Sequence, residues 1–148
     1  MSTDRDEIVQ LLYTYAERLD AGDFEGVADL FAEAAFRSDR RPEVRRGREE
    51  VLAVYRSTVA THEDGTPSTK HVTTNAIVEI APGGEVASSR SYFTVFQARP
   101  GFALQPIVAG RYHDRFVKRV GRWQFADRLV WMDLIGDVRF HLKRDPTG

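Results

Sequence analysis

The sequence has no cysteine, no long apolar run and almost no net charge, and each absence excludes a class of protein. Without cysteine among its 148 residues, the chain can form neither a disulfide framework nor a thiolate metal site. No apolar run approaches the ~20 residues that a membrane-spanning helix needs. A formal net charge of −1 provides no overall positive field for nucleic acid. We therefore expect a protein that binds neither membranes nor nucleic acids.

The composition that remains is typical of one folded domain. Hydrophobic residues make up 42% of the chain, which is too many for a disordered segment. The first residues, from Ser2 to Glu7, are polar and acidic, unlike a secretory signal or an arginine-rich transit peptide. We interpret residues 1–148 as a single cytoplasmic domain, in which 134–148 form a C-terminal tail.

Apolar residues in the first 60 positions repeat at the spacing of amphipathic helices. The stripe of the first predicted helix is formed by Ile8, Leu11, Leu12, Tyr15 and Leu19. Gly22 predicts the end of this helix, and Asp23 predicts the cap of a second one. A third helix is predicted around residues 51–59, where apolar residues again fall on one face.

After residue 66 the pattern changes to the two-residue alternation of β-strands. Four strands are predicted, at 70–80, 85–98, 105–118 and 122–133, with glycine-containing turns between them. Such short connections predict an antiparallel meander. We therefore predict an α+β fold in which three N-terminal helices pack on a strongly curved, mostly antiparallel sheet. A sheet curled around helices leaves a concave interior that can hold a small ligand.

A short strand at 35–38 is a further candidate, and arginine is concentrated in the predicted loop that follows, 37–48. Its six arginines are Arg37, Arg40, Arg41, Arg45, Arg46 and Arg48. No aromatic residue is interleaved with them, so a solvated loop before the third helix is the simplest interpretation. An anionic substrate or a phosphate group is the alternative.

Several segments resemble SnoaL-like proteins of the nuclear transport factor 2-like (NTF2-like) superfamily. Residues 15–31, YAERLDAGDFEGVADLF, resemble their first two helices, and 70–75, KHVTTN, resemble the start of their first long strand. GRYHD at 110–114 and GRWQF at 121–125 resemble their last two strands. The resemblance spans nearly the whole chain and implies a cone-shaped NTF2-like fold. It leaves the activity open, because this superfamily includes enzymes, binding proteins and structural subunits.

Asp20 and His71 are the candidate catalytic pair that this resemblance implies. Scytalone dehydratase, bile-acid 7α-dehydratase and hexachlorocyclohexane dehydrochlorinase have an aspartate at the end of the first helix and a histidine at the start of the first long strand. Tyr15 matches a tyrosine five residues before the aspartate of the bile-acid enzyme. The resemblance thus implies a cofactor-independent lyase or isomerase, acting on a small, mostly apolar hydroxy or carbonyl compound without a metal ion. Relatives commonly form oligomers, so we expect a homodimer or homotrimer.

The chemistry of these three residue types is consistent with such a role. Asp20 would close a helix at its negative end, which costs ~0.3–1 kcal/mol and suggests a purpose other than stability. An aspartate that orients one nitrogen of His71 leaves the other as a general base. The hydroxyl of Tyr15 can donate a hydrogen bond to a substrate oxygen. The structural alternatives are a turn aspartate, a core histidine and a core tyrosine.

Two other functions stay open from the sequence. Tyr15 and Asp39 resemble the tyrosine and the general-base aspartate of ketosteroid isomerase, provided that Asp39 projects into the cone and does not pair with Arg40 or Arg41. The other alternative is a non-catalytic ligand-binding or dimerisation module whose cone is filled by side chains.

Four more residues are candidates for substrate binding: Asn75, Phe96, Tyr112 and Arg128. Asn75 shares a strand face with His71 by alternation. Phe96 aligns with a second histidine of scytalone dehydratase, and Arg128 aligns with an arginine of the bile-acid enzyme.

Two further patterns complete the prediction. The side chains predicted to share one face of the last strand are Trp123, Phe125, Leu129 and Trp131. The remaining histidines, His62, His113 and His141, show no metal-ligand spacing.

Overall fold

The computed structural model describes residues 2–147. The helices are α1 (Asp4–Asp20), α2 (Phe24–Asp29) and α3 (Gly47–Thr58). The strands are β1 (Ala35–Ser38), β2 (Arg41–Arg46), β3 (Thr69–Ile80), β4 (Val86–Arg99), β5 (Phe102–Arg119) and β6 (Arg122–Ile135). The four long strands predicted from alternation all exist, with ends that differ by a few residues.

One curved sheet contains all six strands, in the order β2-β1-β6-β5-β4-β3. Neighbouring strands are antiparallel except for β1 and β6, which are parallel. The predicted α+β fold with a curved sheet is confirmed. The prediction that three helices precede the sheet is only partly right, because a β1–β2 hairpin separates α2 from α3. This hairpin also corrects the predicted arginine-rich loop 37–48, most of which is paired strand.

Local interactions fix the two ends of α1. At its start, Asp6 N donates to the Thr3 side chain and Thr3 N donates to the Asp6 side chain, each at 3.1 Å. Beyond its end, Gly22 has a φ of +76°, and a Cβ there would lie 2.2 Å from the carbonyl oxygen of Gly65. Only glycine fits this turn, so the sequence Asp20-Ala-Gly sets the end of the helix at Asp20.

A β-bulge in β6 changes which side chains point inward. Arg115 pairs with Asp127 but Phe116 pairs with Phe125, so Ala126 is an extra residue in the ladder. Before the bulge Trp123 and Phe125 face the interior, and after it Arg128 and Val130 do so. The predicted common face of Trp123, Phe125, Leu129 and Trp131 is therefore wrong, since Leu129 and Trp131 lie on the other side of the sheet.

Aromatic side chains fill the interior between α2 and the centre of the sheet. Phe31 stacks on Phe125 with ring centroids 4.9 Å apart, and Phe116 lies 5.0 Å from Phe125. All three rings are almost completely buried, and each such burial contributes about 1.5–3 kcal/mol. None of the helices within residues 2–147 has both the length and the apolar character that crossing a membrane demands.

The C-terminal tail, residues 136–147, folds back over the end of α3. Ala60 N donates to the carbonyl oxygen of His141 and Lys143 N donates to that of Thr58, both at 2.8 Å. The ring of Phe140 packs against Phe102 at 5.2 Å. These contacts make the tail an integral part of the fold.

Candidate active site

A cavity of about 290 Å³ lies between the helices and the concave face of the sheet. Its apolar wall includes Leu19, Phe93, Val95, Val108, Val130 and Met132. Its polar side chains include Tyr15, Tyr55, Tyr112, His71 and His141, and charged residues line it as well. This volume is at the lower end of the ~300–1,000 Å³ range of small-molecule sites. A mostly apolar ligand of one or two rings matches it.

Asp20 and His71 are in direct contact, and His71 lies on the wall of this cavity. Asp20 Oδ1 lies 2.6 Å from Nδ1 of His71, and Asp20 Oδ2 accepts a hydrogen bond from the backbone N of His71 at 2.8 Å. Thr69 Oγ1 donates to Asp20 Oδ1 at 2.9 Å. Three hydrogen bonds thus compensate the carboxylate for its position at the negative end of α1.

The contact with Asp20 determines which nitrogen of His71 is available. A carboxylate accepts, so Nδ1 carries the proton and Nε2 presents its lone pair. The side chain of His71 is only 6% exposed, yet its ring lines the cavity. Nε2 makes no hydrogen bond with any group from residue 2 to residue 147. It is therefore free to accept a proton from a ligand.

The pKa of Asp20 is lower than that of an ordinary aspartate. Partial burial works against this, but the hydrogen bonds and charge of His71, together with the hydroxyl of Thr69, outweigh it. Asp20 is therefore a carboxylate at neutral pH, as a residue that orients an imidazole must be. A shallower hollow of about 580 Å³ outside α1 also reaches Asp20 and His71. We assign the site to the enclosed cavity because its apolar wall can exclude water.

Three tyrosines stand together on the wall of the cavity. The hydroxyls of Tyr15 and Tyr55 are hydrogen-bonded to each other. The ring of Tyr112 meets Tyr15 edge-on at 5.8 Å and stacks on Phe93 at 4.4 Å. Burial raises the pKa of all three hydroxyls, although the guanidinium of Arg128 opposes the rise. They are therefore protonated at neutral pH, so each carries a hydroxyl hydrogen.

Arg128 lies behind the tyrosines and does not line the cavity. Its Nε and one terminal nitrogen donate to the two oxygens of Asp114 at 2.7 and 3.0 Å, and both side chains are 0% exposed. Burial raises the pKa of Asp114 and Arg128 lowers it, while Asp114 keeps Arg128 protonated against its own burial. The guanidinium carbon lies 3.7 Å from the ring centroid of Tyr112 and 4.3 Å from that of Tyr15. Arg128 thus supports the tyrosines from behind, and its predicted direct contact with substrate is not seen.

Three other predicted site residues lie away from the cavity. Asp39 accepts a hydrogen bond from Met132 N at 3.2 Å and lies 3.7 Å from Arg40 Nε. The ketosteroid-isomerase-like arrangement needs Asp39 inside the cone, so the structure contradicts it. Asn75 is exposed at a bulge, with a φ of +55°, because the register of β3 shifts between Thr74 and Ile77.

Phe96 also lies away from the cavity. It pairs with Lys70 on the outer side of the sheet, whereas its neighbour Val95 pairs with His71 and lines the cavity. The position next to His71 on the cavity side is therefore apolar in β4.

The structure adds two site residues that the sequence did not predict. Tyr55 lies on the apolar stripe of α3, which favours a core position, although its hydroxyl signals a polar partner. His141 comes from the tail, is 5% exposed, and has its ring centroid 5.8 Å from that of His71. Its Nδ1 is buried and has no hydrogen-bond partner among the described residues, 2–147. No spacing in the sequence connects His141 to His71.

Burial strongly affects the protonation of His141. Burial, together with the nearby His71 and His62, lowers the pKa of this imidazole to about 3, although the charge of Asp20 opposes the shift. His141 is therefore neutral at physiological pH. Among residues 2–147, no three histidine, aspartate or glutamate side chains are grouped as a metal ion would require.

Solved structures with the same architecture include proteins from several bacteria. A variant of Rv3472 from Mycobacterium tuberculosis, a protein of unknown function, is 28% identical over 87% of this chain and 71% of its own, with a TM-score of 0.69. An NTF2-like protein with a cystatin-like fold from Novosphingobium aromaticivorans is 19% identical, covering 88% and 82%, with a TM-score of 0.73. ActVI-ORFA from Streptomyces coelicolor is 20% identical, covering 86% and 95%, with a TM-score of 0.70.

Sequence comparison gives the family. No curated protein matches the chain at a significant level. The SnoaL-like domain, however, matches residues 1–129, which include both members of the Asp20–His71 pair and end within β6, before the tail that carries His141. Together with the NTF2-like fold, this match means that the chain belongs to the SnoaL-like domain family.

Proposed function

We propose that the protein is a cofactor-independent lyase or isomerase that acts on a small, mostly apolar hydroxy or carbonyl compound. The observation that supports this most directly is the 2.6 Å contact between Asp20 and Nδ1 of His71 beside an enclosed apolar cavity. A purely structural pair would not need a free ring nitrogen next to an empty space.

In the proposed reaction His71 acts as the general base. Its Nε2 removes a proton from a carbon next to a carbonyl group, and Asp20 stabilises the imidazolium that forms. The imidazolium then returns the proton, either to a leaving hydroxyl in a dehydration or to another carbon in an isomerisation. General-base catalysis of this kind typically contributes ~10²–10⁴-fold to the rate.

The tyrosine pair would bind the oxygen on which negative charge develops. Tyr15 and Tyr55 share one hydrogen bond, so one hydroxyl hydrogen remains available to a substrate oxygen. Arg128, 4.3 Å from the ring of Tyr15, adds a fixed positive charge behind this position. It opposes the rise in the pKa of Tyr15 and so strengthens that hydroxyl as a donor.

His141 would take part as a neutral group. Its ring faces that of His71 in the same cavity, and its unpaired Nδ1 shows that the protein alone does not satisfy it. A neutral imidazole can donate a hydrogen bond to a leaving hydroxyl without competing with His71 for the proton. The tail would thus supply the second polar wall of the site.

The experiment is a ligand screen followed by a turnover assay. Small aromatic and alicyclic hydroxyketones are screened by thermal shift, and each hit is then incubated in deuterated water and followed by NMR. We expect loss of water, or deuterium exchange next to the carbonyl group, with the wild type. We also expect His71→Asn and Asp20→Asn to bind the same compounds and to convert them at least ~10²-fold more slowly.

The outcomes separate enzyme from binding module. Hits that bind equally to wild type and to His71→Asn, and that neither protein converts, would favour a ligand-binding module. Conversion that survives His71→Asn at the full rate would rule out the proposed base. Glu50→Gln, an exposed carboxylate on α3, is the matched control for changes in charge alone.

We also propose that the chain associates with itself through the outer face of the sheet. The apolar side chains there include Val72, Ile77 and Tyr92, which are 40%, 47% and 54% exposed. Analytical ultracentrifugation of wild type and Tyr92→Lys tests this. A wild type that stays monomeric at high concentration would refute it.

A further inference from the structure

We infer that the mouth of the cavity binds an oxyanion, so that the substrate is an amphiphile with an apolar body and a carboxylate or phosphate group. This inference rests on the proposed function in one respect, namely that the cavity is the substrate site. It narrows that function to one class of ligand. The observation behind it is the set of arginines at the mouth.

Strand alternation turns one side of the β1–β2 hairpin toward the cavity. In β2, Arg41, Glu43 and Arg45 line the mouth, and the alternate residues Pro42 and Val44 do not. The predicted arginine-rich loop is thus a strand that presents every second residue to one opening.

Two more arginines line the same opening, and one of them comes from the C-terminal tail. Arg144 lines the mouth next to Asp145, and Arg40 lines it from the β1–β2 turn. Among residues 2–147, two segments about 100 residues apart in the chain therefore place four arginines and two carboxylates around one entrance. The cavity behind them is mostly apolar. Low-dielectric walls strengthen the field of such charges at the opening.

We call Arg41, Arg45 and Arg144 the mouth arginines. Within residues 2–147 none of them forms an ion pair. Arg40 is different, because its Nη2 donates to the carbonyl oxygen of Met132 at 2.8 Å and its Nε lies 3.7 Å from Asp39. The mouth arginines thus have guanidinium donors free for a ligand. A guanidinium binds carboxylate and phosphate groups through two parallel hydrogen bonds.

The depth of the site suggests how such a ligand would lie. Its apolar body would fill the cavity beside Phe93 and Val95, with its reacting carbon near His71. Its anionic end would remain at the mouth, where the guanidinium groups are partly hydrated and no buried charge is created. The charged group would then act as a handle that orients the substrate.

The test compares three naphthalene probes that differ only in one substituent. 2-Naphthoate carries a carboxylate, 2-naphthyl phosphate carries a phosphate, and methyl 2-naphthoate is uncharged. Their Kd values for the wild type are measured by calorimetry at low and at high salt. We expect the preferred anion to bind about tenfold more tightly than the ester at low salt, and the preference to shrink at high salt. Whichever anion binds better identifies the natural group.

The decisive variant is the double substitution R41Q/R45Q. We expect this variant to bind the anion about tenfold more weakly than the wild type does and to bind the ester with unchanged affinity. The matched control is Arg122→Gln, because Arg122 is an exposed arginine at the start of β6 and does not line the cavity. This control should bind all three probes as the wild type does.

Several results would overturn the inference. For the wild type, these are equal affinity for the ester and the anions, or no binding of either anion at millimolar concentration. For the variants, they are an equal loss of affinity for ester and anion in R41Q/R45Q, or a loss of anion affinity in Arg122→Gln as large as that in R41Q/R45Q. The measurement concerns binding alone. It can therefore fail while His71-dependent turnover stands, and turnover can fail while the anion preference stands.

Discussion

Asp114 and Asp20 each form hydrogen bonds with a nitrogen-containing side chain, but the first pair is sealed in the core and the second lies beside the cavity. Asp114 and Arg128 are fully buried, make two hydrogen bonds to each other and have no contact with the cavity. Asp20 and His71 share one side-chain hydrogen bond, and the imidazole keeps a free nitrogen beside the cavity. The first pair closes two hydrogen bonds inside the protein, and only Nη1 of Arg128 stays without a hydrogen-bond partner within residues 2–147. The second pair leaves one bond to be made by a ligand.

This difference shows why proximity of charges alone does not identify a site. The guanidinium of Arg128 stays charged at every accessible pH, so the Asp114–Arg128 pair cannot exchange protons with a substrate. The imidazole of His71 can accept and return a proton, and its partner Asp20 is a carboxylate at neutral pH. Substitutions in and around the two pairs test this contrast, from the largest expected effect to the smallest.

Replacement of His71 by asparagine should reduce activity and spare the fold. The asparagine amide can still donate toward Asp20, but no group can accept a proton in place of Nε2. We expect turnover of any substrate found by the screen to fall ~10²–10⁴-fold. The free energy of unfolding, measured with urea, should change by less than about 1 kcal/mol. A large loss of stability would mean that this pair too is structural.

Replacement of Arg128 by methionine should have its main effect on stability. It leaves a buried carboxylate without a partner, which costs about 3–5 kcal/mol. The measurement is the free energy of urea unfolding. The matched control is Arg37→Met, since Arg37 binds Asp127 with the same two-bond geometry but is 41% exposed. We expect the control to lose at most about 1 kcal/mol. Equal losses would show that burial does not distinguish the two pairs.

His141 should make the fold sensitive to mild acid. Its folded pKa is about 3, whereas an imidazole in the unfolded chain titrates near ~6.5. The unfolded state therefore binds the extra proton as pH falls below ~6.5, and stability decreases. Between pH 7 and 5 this decrease amounts to about 2 kcal/mol for one histidine. We expect His141→Phe to lose that much less stability than the wild type over this range.

An exposed histidine provides the control for that experiment. His113 lies on the outer side of β5, and His113→Phe should keep the wild-type pH dependence. Identical pH dependence of the wild type and His141→Phe would contradict the burial of a neutral His141.

Substitution of Asp20 should have the smallest effect on stability, and this effect should change at pH ~4. Its pKa is below the ordinary value, so the ionised carboxylate stabilises the fold above pH ~4. That stabilisation disappears as pH falls through the lowered pKa. We expect Asp20→Asn to be less stable than the wild type at neutral pH, and the difference to narrow below pH ~4. The measurement is urea unfolding at a series of pH values, and a constant difference would contradict the lowered pKa.

The sequence predicted the elements that carry the Asp20–His71 pair because local rules determine them. The stripe from Ile8 to Leu19 defines α1, the turn at Gly22 ends it, and alternation begins near His71. Each of these signals depends on residues within a few positions of one another. Only the superfamily resemblance indicated that the two side chains would meet.

The sequence could not show features that depend on distant parts of the chain or on irregular pairing. His141 reaches the cavity only because the tail pairs with the end of α3. Asn75 leaves the cavity face because β3 has a bulge, which strict alternation does not include. The arginine-rich segment of β2 looks like a loop in the sequence because its hairpin joins the sheet through β1. The strand that pairs with β1, β6, comes some 80 residues later.

The extra residue at Ala126 has a consequence for insertions and deletions. Phe125 and Arg128 both face the interior although they are three positions apart, because the bulge takes up one residue between them. Removal of Ala126 would therefore keep the pairs of Phe116 with Phe125 and of Asp114 with Arg128, and would only make the ladder regular. Removal of Leu129, beyond the bulge, would instead exchange the two faces of the strand after that position. The bulge is thus a position at which β6 can lose a residue without reversing its faces.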